Sequence, residues 1–413
     1  MKAGSSTVAG QVAAWLCALG VDRAYAMESH HLGPLLPALL EAGICVHVAA
    51  TETGAGYMAD GYARATGRLG VAVTGGGPGL AMMLPALQTA MVEGVPILAL
   101  VGQSATSRSP KFQETDAGGS RDVQVLRGLL GAVSEVRSAD GLHPALESGR
   151  AALRSGSPAA VALPVDVQAR EGPTPMPLPS APFSWGSVSG GSGAGDAATR
   201  ISLADAGGRG RCQVAASAIG GPVRYRDLMA VIARWAASTR PEARIFVDAG
   251  QGRHAAHVVL GPLGAPFYDC PRSAPMGWAI AAAVGAALAL ESAVPVVCIT
   301  GDGSALMLGN EFATAVRDRA RVTFVLCDNG VMGGPHSRHA GTAAVELAQL
   351  PRVDWVGWAT SMGLPARRAA SASEFADALG AWRVAAGPRL IVVPTPPSDD
   401  QVRPPYAAQA PTS

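Results

Sequence analysis

The chain has 413 residues, of which 48% are hydrophobic and only 15% are charged, so it is long enough for two domains with large cores and is not a disordered chain. Its formal net charge of +1 gives no support to a polyanionic partner such as a nucleic acid. The first residues lack the pattern of a signal peptide, and the longest apolar run, residues 279–290, is too short to cross a membrane. We therefore expect a cytoplasmic protein.

Residues 1–168 alternate between helical and strand patterns, and they form the first predicted domain. Helices are predicted over Val8–Leu19, Leu35–Glu41 and Thr53–Thr66, and strands over Asp22–Ala26, Cys45–Ala50, Gly70–Thr74, Pro96–Val101 and Ala159–Pro164. This β-α alternation predicts an α/β domain in which helices cover a parallel sheet on both sides.

Residues 169–221 are rich in proline, glycine and serine and show no hydrophobic period. Such a composition over this length predicts a linker, which we expect to be most flexible over Gly186–Gly195.

The alternation resumes in residues 222–398, which form the second predicted domain. Helices are predicted over Tyr225–Ala237, Met276–Leu290 and Gly309–Arg317, and strands over Arg244–Val247, Val294–Thr300, Val322–Cys327 and Leu390–Val393. The proline-rich residues 399–413 are expected to be a disordered tail.

The strand pattern that ends at Thr300 is followed directly by Gly301-Asp-Gly-Ser304. In open α/β sheets, ligands bind beyond the carboxyl ends of the strands, and glycines there expose N–H groups to anions. The segment is neither a P-loop nor a GxGxxG turn. Because an aspartate repels phosphates unless a cation lies between them, Asp302 predicts a hard divalent cation such as Mg²⁺ or Ca²⁺.

A second oxygen ligand is expected where the next strand ends, in Cys327-Asp-Asn-Gly330. Asn329 lies 27 residues after Asp302, the length of one β-α-β unit, so the two side chains would converge. The backbone carbonyl of Val331 supplies a third candidate oxygen. Either motif alone also fits an Asx turn, but the pair at this spacing favours a metal site.

Together, Gly301-Asp-Gly-Ser304 and Asp328-Asn-Gly330 resemble the cofactor and metal motif of thiamine-diphosphate-dependent enzymes. The first half is similar to the acetolactate-synthase-like branch of that family over residues 50–67, in Gly76-Gly-Pro-Gly79 and in Phe112-Gln-Glu-Thr-Asp116. Further similar segments are Asp248-Ala-Gly-Gln251 and Ser273-Ala-Pro-Met-Gly-Trp278. The motifs stand in the family's order across both predicted domains.

The resemblance implies two thiamine-diphosphate-binding-type α/β/α domains, a pyrimidine-binding first domain and a diphosphate-binding second one, with Mg²⁺ held by Asp302, Asn329 and Val331. It implies that Glu52, which we expect to be partly desolvated, hydrogen-bonds the pyrimidine ring and activates the cofactor. The cofactor-binding residues implied are Glu52, Gly76, Gly77, Gly250, Gln251, Met276, Gly301, Asp302, Gly303, Ser304, Asn329, Val331 and Met332. Read alone, Met276 also fits an ordinary core position.

The chain departs from the larger family members because a linker replaces their middle domain, which also argues against FAD. This short arrangement resembles that of phosphonopyruvate and sulfopyruvate decarboxylases, whereas the motifs are closer to those of acetolactate synthase. The turn after the first strand usually carries Pro-Gly, but this chain has Met27-Glu-Ser-His-His31 there. His30 and His31 are therefore candidates for proton transfer or carboxylate binding. Exposed loop histidines are the alternative.

Three more residues are candidates for contact with the substrate: Gln113 in the segment after the fourth predicted strand, and His336 and Arg338 after the metal motif. A solvated charged loop explains the last two equally well.

We expect the chain to decarboxylate a small 2-oxo acid with thiamine diphosphate and Mg²⁺. A carboligase that passes the decarboxylated fragment to a carbonyl acceptor is the main alternative, and a homologue that binds the cofactor without turnover is a third. The family places the cofactor between subunits, so we expect a homodimer or a homotetramer. The sequence does not name the substrate.

Overall fold

The computed structural model describes residues 7–106, 120–172, 176–185, 222–239, 241–263, 265, 267–290, 293–381 and 386–397. Its contacts divide the chain into two compact units, Met1–Val188 and Ser189–Ser413. Most of the predicted linker, including the part predicted to be most flexible, and the predicted tail lie outside the described residues.

The first unit contains a six-stranded parallel sheet flanked by helices. Its strands run in the order β2-β1-β3-β4-β6-β5 and are β1 Arg23–Ala26, β2 Cys45–Val48, β3 Gly70–Gly75, β4 Ile97–Gln103, β5 Ala132–Glu135 and β6 Ala159–Pro164. Its helices are α1 Val8–Ala18, α2 Leu35–Glu41, α3 Glu52–Thr66, α4 Pro78–Glu93, α5 Ser120–Leu129, α6 Leu142–Arg154 and α7 Val165–Gln168. Short 3-10 turns cover His30–Leu32 and Ala139–Gly141.

Helix α3 is held against α4 and the sheet by its small residues. A Cβ atom at Gly56 would overlap the side chain of Ala86 on α4, and one at Gly70 would overlap the carbonyl of Ala59 on α3. The hydroxyl of Thr51 caps α3 by accepting the N–H of Gly54 at 2.9 Å. These contacts fix the first turn of α3 and therefore the position of Glu52.

Residues 176–185, which fall within the predicted linker, pack onto the first unit. The backbone N–H of Phe183 donates to the carbonyl of Leu19, and that of Trp185 donates to the carbonyl of Gly67, both at 2.8 Å. The Phe183 side chain is buried. Phe183 and Trp185 therefore give this proline-rich stretch the apolar surface with which it packs onto the first unit.

The second unit repeats the architecture with strand order β11-β12-β10-β9-β7-β8. Its parallel strands are β7 Arg244–Val247, β8 Phe267–Tyr268, β9 Val296–Gly301, β10 Val322–Asp328, β11 Ala366–Arg368 and β12 Arg389–Pro394. Its helices are α8 Tyr225–Ala237, α9 Gln251–Val259, α10 Trp278–Ala289, α11 Asp302–Leu308, α12 Glu311–Arg317, α13 Gly333–Arg338, α14 Trp355–Ser361 and α15 Ala372–Gly380, with a 3-10 turn at Ala343–Ala348.

The register of the central strands brings the predicted metal motifs together. Cys327 of β10 pairs with Gly301 of β9, so Asp302 and Asn329, at the ends of these strands, lie side by side. Apolar strand residues such as Val297 and Val325 belong to the core beneath them. Two parallel sheets flanked by helices confirm the predicted fold class. In the described part of the chain, every helix is too short or too polar to span a membrane.

Candidate active site

The carboxylate of Asp302 lies at the carboxyl end of β9 and is buried. Its Oδ2 accepts the backbone N–H groups of Asn329 at 3.1 Å and of Gly330 at 2.6 Å, and its Oδ1 accepts that of Gly303 at 2.9 Å. Burial raises the pKa of Asp302, and these N–H groups partly offset that effect. In this structure the N–H of Gly303, a predicted cofactor-binding residue, donates to the Asp302 carboxylate.

Asn329 is fixed by hydrogen bonds at both ends of its amide. Its Oδ1 accepts the N–H of Val331 at 2.9 Å, which forms an Asx turn, and its Nδ2 donates to the hydroxyl of Tyr225 at 2.9 Å. The Tyr225 hydroxyl also accepts a hydrogen bond from Thr395 at 3.1 Å. The Asx-turn alternative is thus present, and the backbone of the same residue contacts Asp302 through the Asn329 N–H.

A cavity of about 420 Å³ opens at these strand ends. Its lining contains all the cofactor residues predicted in the second half: Gly250, Gln251, Met276, Gly301, Asp302, Gly303, Ser304, Asn329, Val331 and Met332. Arg338 also lines it, whereas His336 does not belong to the lining. The structure therefore brings these segments to one place, and what they bind stays a prediction.

Glycines leave room in the cavity wall for a ligand. A Cβ atom at Gly301 would meet nothing within 4 Å, and the same holds at Gly250, where φ is +119°. At Gly303, by contrast, a Cβ atom would lie 2.8 Å from the Sδ of Met332 and 3.1 Å from the Cε of Met276. The two methionine side chains therefore converge above the Gly303 backbone and narrow the cavity there.

The residues present fit a magnesium ion bound to a diphosphate. Asp302 offers carboxylate oxygens, Asn329 an amide oxygen and Val331 a backbone carbonyl, and oxygen donors of these kinds suit Mg²⁺. Among the described residues, no group of three His, Cys, Asp or Glu side chains is arranged to bind a metal. A hard cation bound by these donors would need further oxygen ligands, such as phosphate oxygens and water.

Sequence reasoning missed several residues of the cavity wall, among them Arg253 and His254 on α9. The Nη1 of Arg253 donates to the carbonyl of Cys270 at 3.0 Å, which holds the guanidinium in place. Burial, and then the charge of Arg253, lowers the pKa of His254, so this imidazole is neutral at neutral pH. Both residues follow Gln251 closely on the same helix, a signal that could have identified them.

In the first unit, Glu52 is half-buried at the start of α3, as predicted. A Cβ atom at Gly79 would lie 3.2 Å from the Oε1 of Glu52 and 2.9 Å from the Oγ1 of Thr74. Glu52 and Thr74 thus both face the first turn of α4. Of the two predicted glycines nearby, Gly77 caps α4 with φ +65°, and its N–H donates to Asp122 at 2.9 Å.

Gly76 lies beside Gly77 in the turn between β3 and α4. Its position matches the predicted turn, and a role in cofactor binding remains a prediction. Gln113 lies outside the described residues.

The two candidate histidines occupy different environments. His30 is exposed, whereas His31 is 1% exposed, and the Nε2 of His31 lies 3.2 Å from the Oγ of Ser104. A Cβ atom at Gly102 on β4 would overlap the His31 carbonyl. The loop thus lies across the end of β4, so His31 is a packed residue whereas His30 is exposed. A role of either histidine toward a substrate remains a prediction.

Comparison with known proteins agrees with the two-unit architecture. The family model described as the thiamine pyrophosphate enzyme N-terminal TPP binding domain matches residues 6–120, and the corresponding C-terminal TPP binding domain matches residues 248–393. The chain therefore belongs to the family of thiamine pyrophosphate (thiamine diphosphate) enzymes, and the predicted family is confirmed.

Individual relatives are similar over one part of the chain. IlvX of Mycobacterium tuberculosis, provisionally named an acetolactate synthase large subunit, is 36% identical over 171 residues, which cover 38% of this chain and 32% of that protein. The 2-hydroxyacyl-CoA lyase 2 of Mus musculus is 35% identical over 160 residues, or 38% of this chain and 24% of the relative. The glyoxylate carboligase of Escherichia coli O157:H7 is 32% identical over 158 residues, or 37% and 26%. The chain thus spans a third or less of these relatives.

Proposed function

We propose that the chain is a thiamine diphosphate- and Mg²⁺-dependent enzyme that decarboxylates a small 2-oxo acid, for which phosphonopyruvate and sulfopyruvate serve as model substrates. The observation that carries the proposal is the cavity at the carboxyl ends of β7, β9 and β10, where Asp302, Asn329 and the Gly301–Ser304 turn meet. Membership in the family supports the cofactor, and the short two-unit build favours these substrates.

In this proposal the second unit holds the diphosphate end of the cofactor. Asp302, Asn329 and the Val331 carbonyl would bind Mg²⁺, and the guanidinium groups of Arg253 and Arg338 would neutralise negative charge that the metal leaves uncompensated. The Asp302 carboxylate alone would repel a diphosphate. In this proposal the metal ion and the two arginines together offset that repulsion.

In the first unit, Glu52 would hold a proton between its carboxyl and a ring nitrogen of the cofactor. Its half-buried position at the start of α3 limits competition from water for that hydrogen bond. When bound, thiamine diphosphate supplies the electron sink that cleavage of a bond next to a carbonyl requires. His30, exposed in the loop after β1, is the candidate for contact with the substrate or for moving a proton.

Carboligation is the second candidate function. Two of the similar proteins carry the names acetolactate synthase and glyoxylate carboligase, and a third is named as a lyase. A decarboxylase and a carboligase share the first bond cleavage, and they differ in whether a proton or a carbonyl compound takes up the fragment that remains.

One experiment tests the proposal and separates the two candidates. The purified protein is supplied with thiamine diphosphate and Mg²⁺, and release of CO₂ from a panel of 2-oxo acids is measured with and without an added aldehyde. A simple aldehyde as the only product supports a decarboxylase, whereas a longer hydroxyketone supports a carboligase. Cofactor binding without CO₂ release from any acid would contradict the proposed function and favour a binding protein without turnover.

The proposal includes an assembly of at least two copies. The family's arrangement places the cofactor between the first unit of one subunit and the second unit of another. Sedimentation of the cofactor-loaded protein should therefore give a dimer or a tetramer, and a cofactor-loaded monomer would contradict this part of the proposal.

A further inference from the structure

The side chain of Asp248, at the carboxyl end of β7, joins three parts of the second unit. It is 2% exposed. One oxygen accepts the hydroxyl of Thr300 on β9 at 2.8 Å and the N–H of Gly277 at 3.1 Å, and the other accepts the N–H of Ala279 on α10 at 3.2 Å. The carboxylate therefore ties the start of α10 to the two strands that lead into the cavity.

The segment that Asp248 holds has an unusual backbone. Ala274 has φ +48° and Gly277 has φ +85°, and the left-handed region is unfavourable for alanine, so the surrounding structure must maintain it. A Cβ atom at Gly277 would lie 2.9 Å from the side chain of Leu308 on α11. The segment is thus wedged between Asp248 on one side and α11 on the other.

Met276 is part of this segment and forms a wall of the cavity. Its Cε lies beside Gly303 together with the Sδ of Met332, within about 3 Å of where a Cβ atom at Gly303 would stand. Because Met276 immediately precedes the hydrogen-bonded Gly277, a shift of that N–H would move the thioether into or out of the cavity.

We propose that Asp248 is a positioning residue that holds the left-handed turn at Gly277, which ends the Ala274–Gly277 segment, and thereby sets where Met276 meets the bound cofactor. The inference rests on the proposed thiamine diphosphate site. Asp248 itself acts through the segment and not by contact with a substrate.

The surroundings of Asp248 explain how its charge is held. Burial raises its pKa to about 6, and the Thr300 hydroxyl and the two N–H groups partly offset that effect. Among the described residues, the thiol of Cys298 on β9 is a titratable group that interacts with Asp248, and its pKa is raised well above its ordinary value by burial, by the Asp248 charge and by Cys327. A thiol that stays neutral does not compete with Asp248 near pH 6.

The test compares cofactor binding by the full chain and its variants at pH 7.5, measured by calorimetry with thiamine diphosphate and Mg²⁺. Asp248→Asn keeps the shape but removes the charge and one acceptor, and it should weaken binding about tenfold. Thr300→Val keeps the charge, removes one donor and should weaken binding by a smaller factor. Glu311→Gln is the control, since Glu311 is a buried acid of the same unit that accepts a hydrogen bond from Thr314 and lies outside the cavity lining.

A second readout needs no cofactor. Trp278 is buried at the start of α10, so its fluorescence, isolated as the difference from Trp278→Phe, should change as the free protein passes through about pH 6. The change should vanish in Asp248→Asn and persist in Glu311→Gln. If Asp248→Asn does not fold, the positioning role is tested by cofactor binding in Thr300→Val and by the fluorescence titration of the unmodified chain.

Wild-type-like binding by both Asp248→Asn and Thr300→Val, with the same fluorescence change in every variant, would overturn the positioning role alone. Failure of the unmodified chain to bind thiamine diphosphate would overturn this inference together with the proposed function. The two failures are therefore distinguishable.

Discussion

Two buried aspartates, Asp248 and Asp302, lie at neighbouring strand ends of the second unit, and burial raises the pKa of both. Each carboxylate accepts three hydrogen bonds from the protein. Unfavourably placed charges of this kind concentrate at functional sites, where stability is given up for binding or chemistry. At the scale of single residues, the candidate site is therefore marked by two buried carboxyl groups, Asp248 and Asp302, whose pKa values are raised.

The pH dependence of stability should reveal the cost of the Asp248 charge. Its pKa rises from the usual 3.8 to about 6 on folding, so the folded state binds the extra proton between these values. Its contribution to the free energy of unfolding is fully present below pH 4 and is lost as the pH rises through 6, by about 3 kcal/mol in total.

Chemical denaturation from pH 4 to pH 7 checks this expectation. The stability of Asp248→Asn relative to the unmodified chain should increase with pH across that window, because asparagine does not ionise. A difference that stays constant, or that falls as the pH rises, would show that Asp248 ionises in the folded protein at least as easily as in water.

A single methyl group at Gly301 should separate binding from folding. Its φ is −98°, which suits any residue, and an added Cβ atom would enter open space in the cavity. Gly301→Ala should therefore leave the melting temperature nearly unchanged while it weakens the binding of thiamine diphosphate at least several-fold. Calorimetry and thermal unfolding measure the two effects, and undiminished binding would remove Gly301 from the cofactor site.

Part of this site was accessible to sequence reasoning, and part was not. The spacing of Asp302 and Asn329 equals one strand–helix–strand repeat. The sequence therefore predicted that these two residues lie close together in the fold. Tyr225 binds Asn329 across 104 residues, and no local pattern encodes that distance. The use of the Gly303 N–H by Asp302 was likewise not predictable, since it depends on the exact backbone of the turn.

At the scale of helices and strands, close packing of small residues positions the first half of the proposed site. Helices α3 and α4 approach where Gly56 faces Ala86, and the hydroxyl of Thr53 also donates to the carbonyl of Met82 on α4. Glu52 begins one of these helices and faces the first turn of the other. The spacing of the two helices therefore controls where its carboxyl points.

Substitution of two helical glycines by alanine should have opposite effects on stability. Gly56→Ala places a Cβ atom against Ala86 and should cost about 1–3 kcal/mol, whereas Gly128→Ala, in an exposed part of α5 with nothing within 4 Å, should add up to about 1 kcal/mol through helix propensity. Adding Ala86→Gly should restore much of the loss at position 56. Equal effects of the two alanines in thermal unfolding would contradict the close helix contact.

Some helices and strands were predicted to the residue, whereas others were missed. Helix α2 and strand β6 match their predictions residue for residue. The two-residue strand β8 and the three-residue strand β11 lie at the edges of their sheet, where too few residues are buried to leave a pattern. Helix α4 was not predicted; it contains Pro85 in its interior, where proline is unfavourable for a helix.

The start of helix α10 differs from its predicted start, and the reason concerns the candidate site. The predicted helix at Met276 begins only at Trp278, because Gly277 adopts a left-handed conformation. Helical periodicity in the sequence continues through these residues, whereas the hydrogen bonds to Asp248 hold them out of the helix. The late start of α10 thus coincides with the segment that we infer to be held in place by Asp248.

At the scale of the whole molecule, the chain carries two complementary halves of one proposed site. Glu52 belongs to the first unit, and Asp302 belongs to the second. The repeated parallel sheet places predicted binding residues near strand ends in both halves, and we propose that the two halves contact different ends of the cofactor. Neither half is expected to act without the other.

Mixed assemblies should show whether the halves come from different subunits. Glu52→Gln and Asp302→Asn homodimers should each be inactive, but a hybrid dimer would contain one site with both substitutions and one with none. Random mixing should therefore restore about a quarter of the unmodified activity in CO₂ release. A mixture as inactive as its components, with exchange of subunits verified, would contradict sites shared between subunits.

The most direct test of the central claim, that the chain binds and activates thiamine diphosphate, is exchange of the cofactor's C2 proton in D₂O, followed by NMR with Mg²⁺ present. The unmodified protein should accelerate this exchange, and Glu52→Gln should slow it by roughly 100-fold or more while it still binds the cofactor through the second unit. An exchange rate that Glu52→Gln leaves unchanged, or no acceleration by the unmodified protein, would contradict the account.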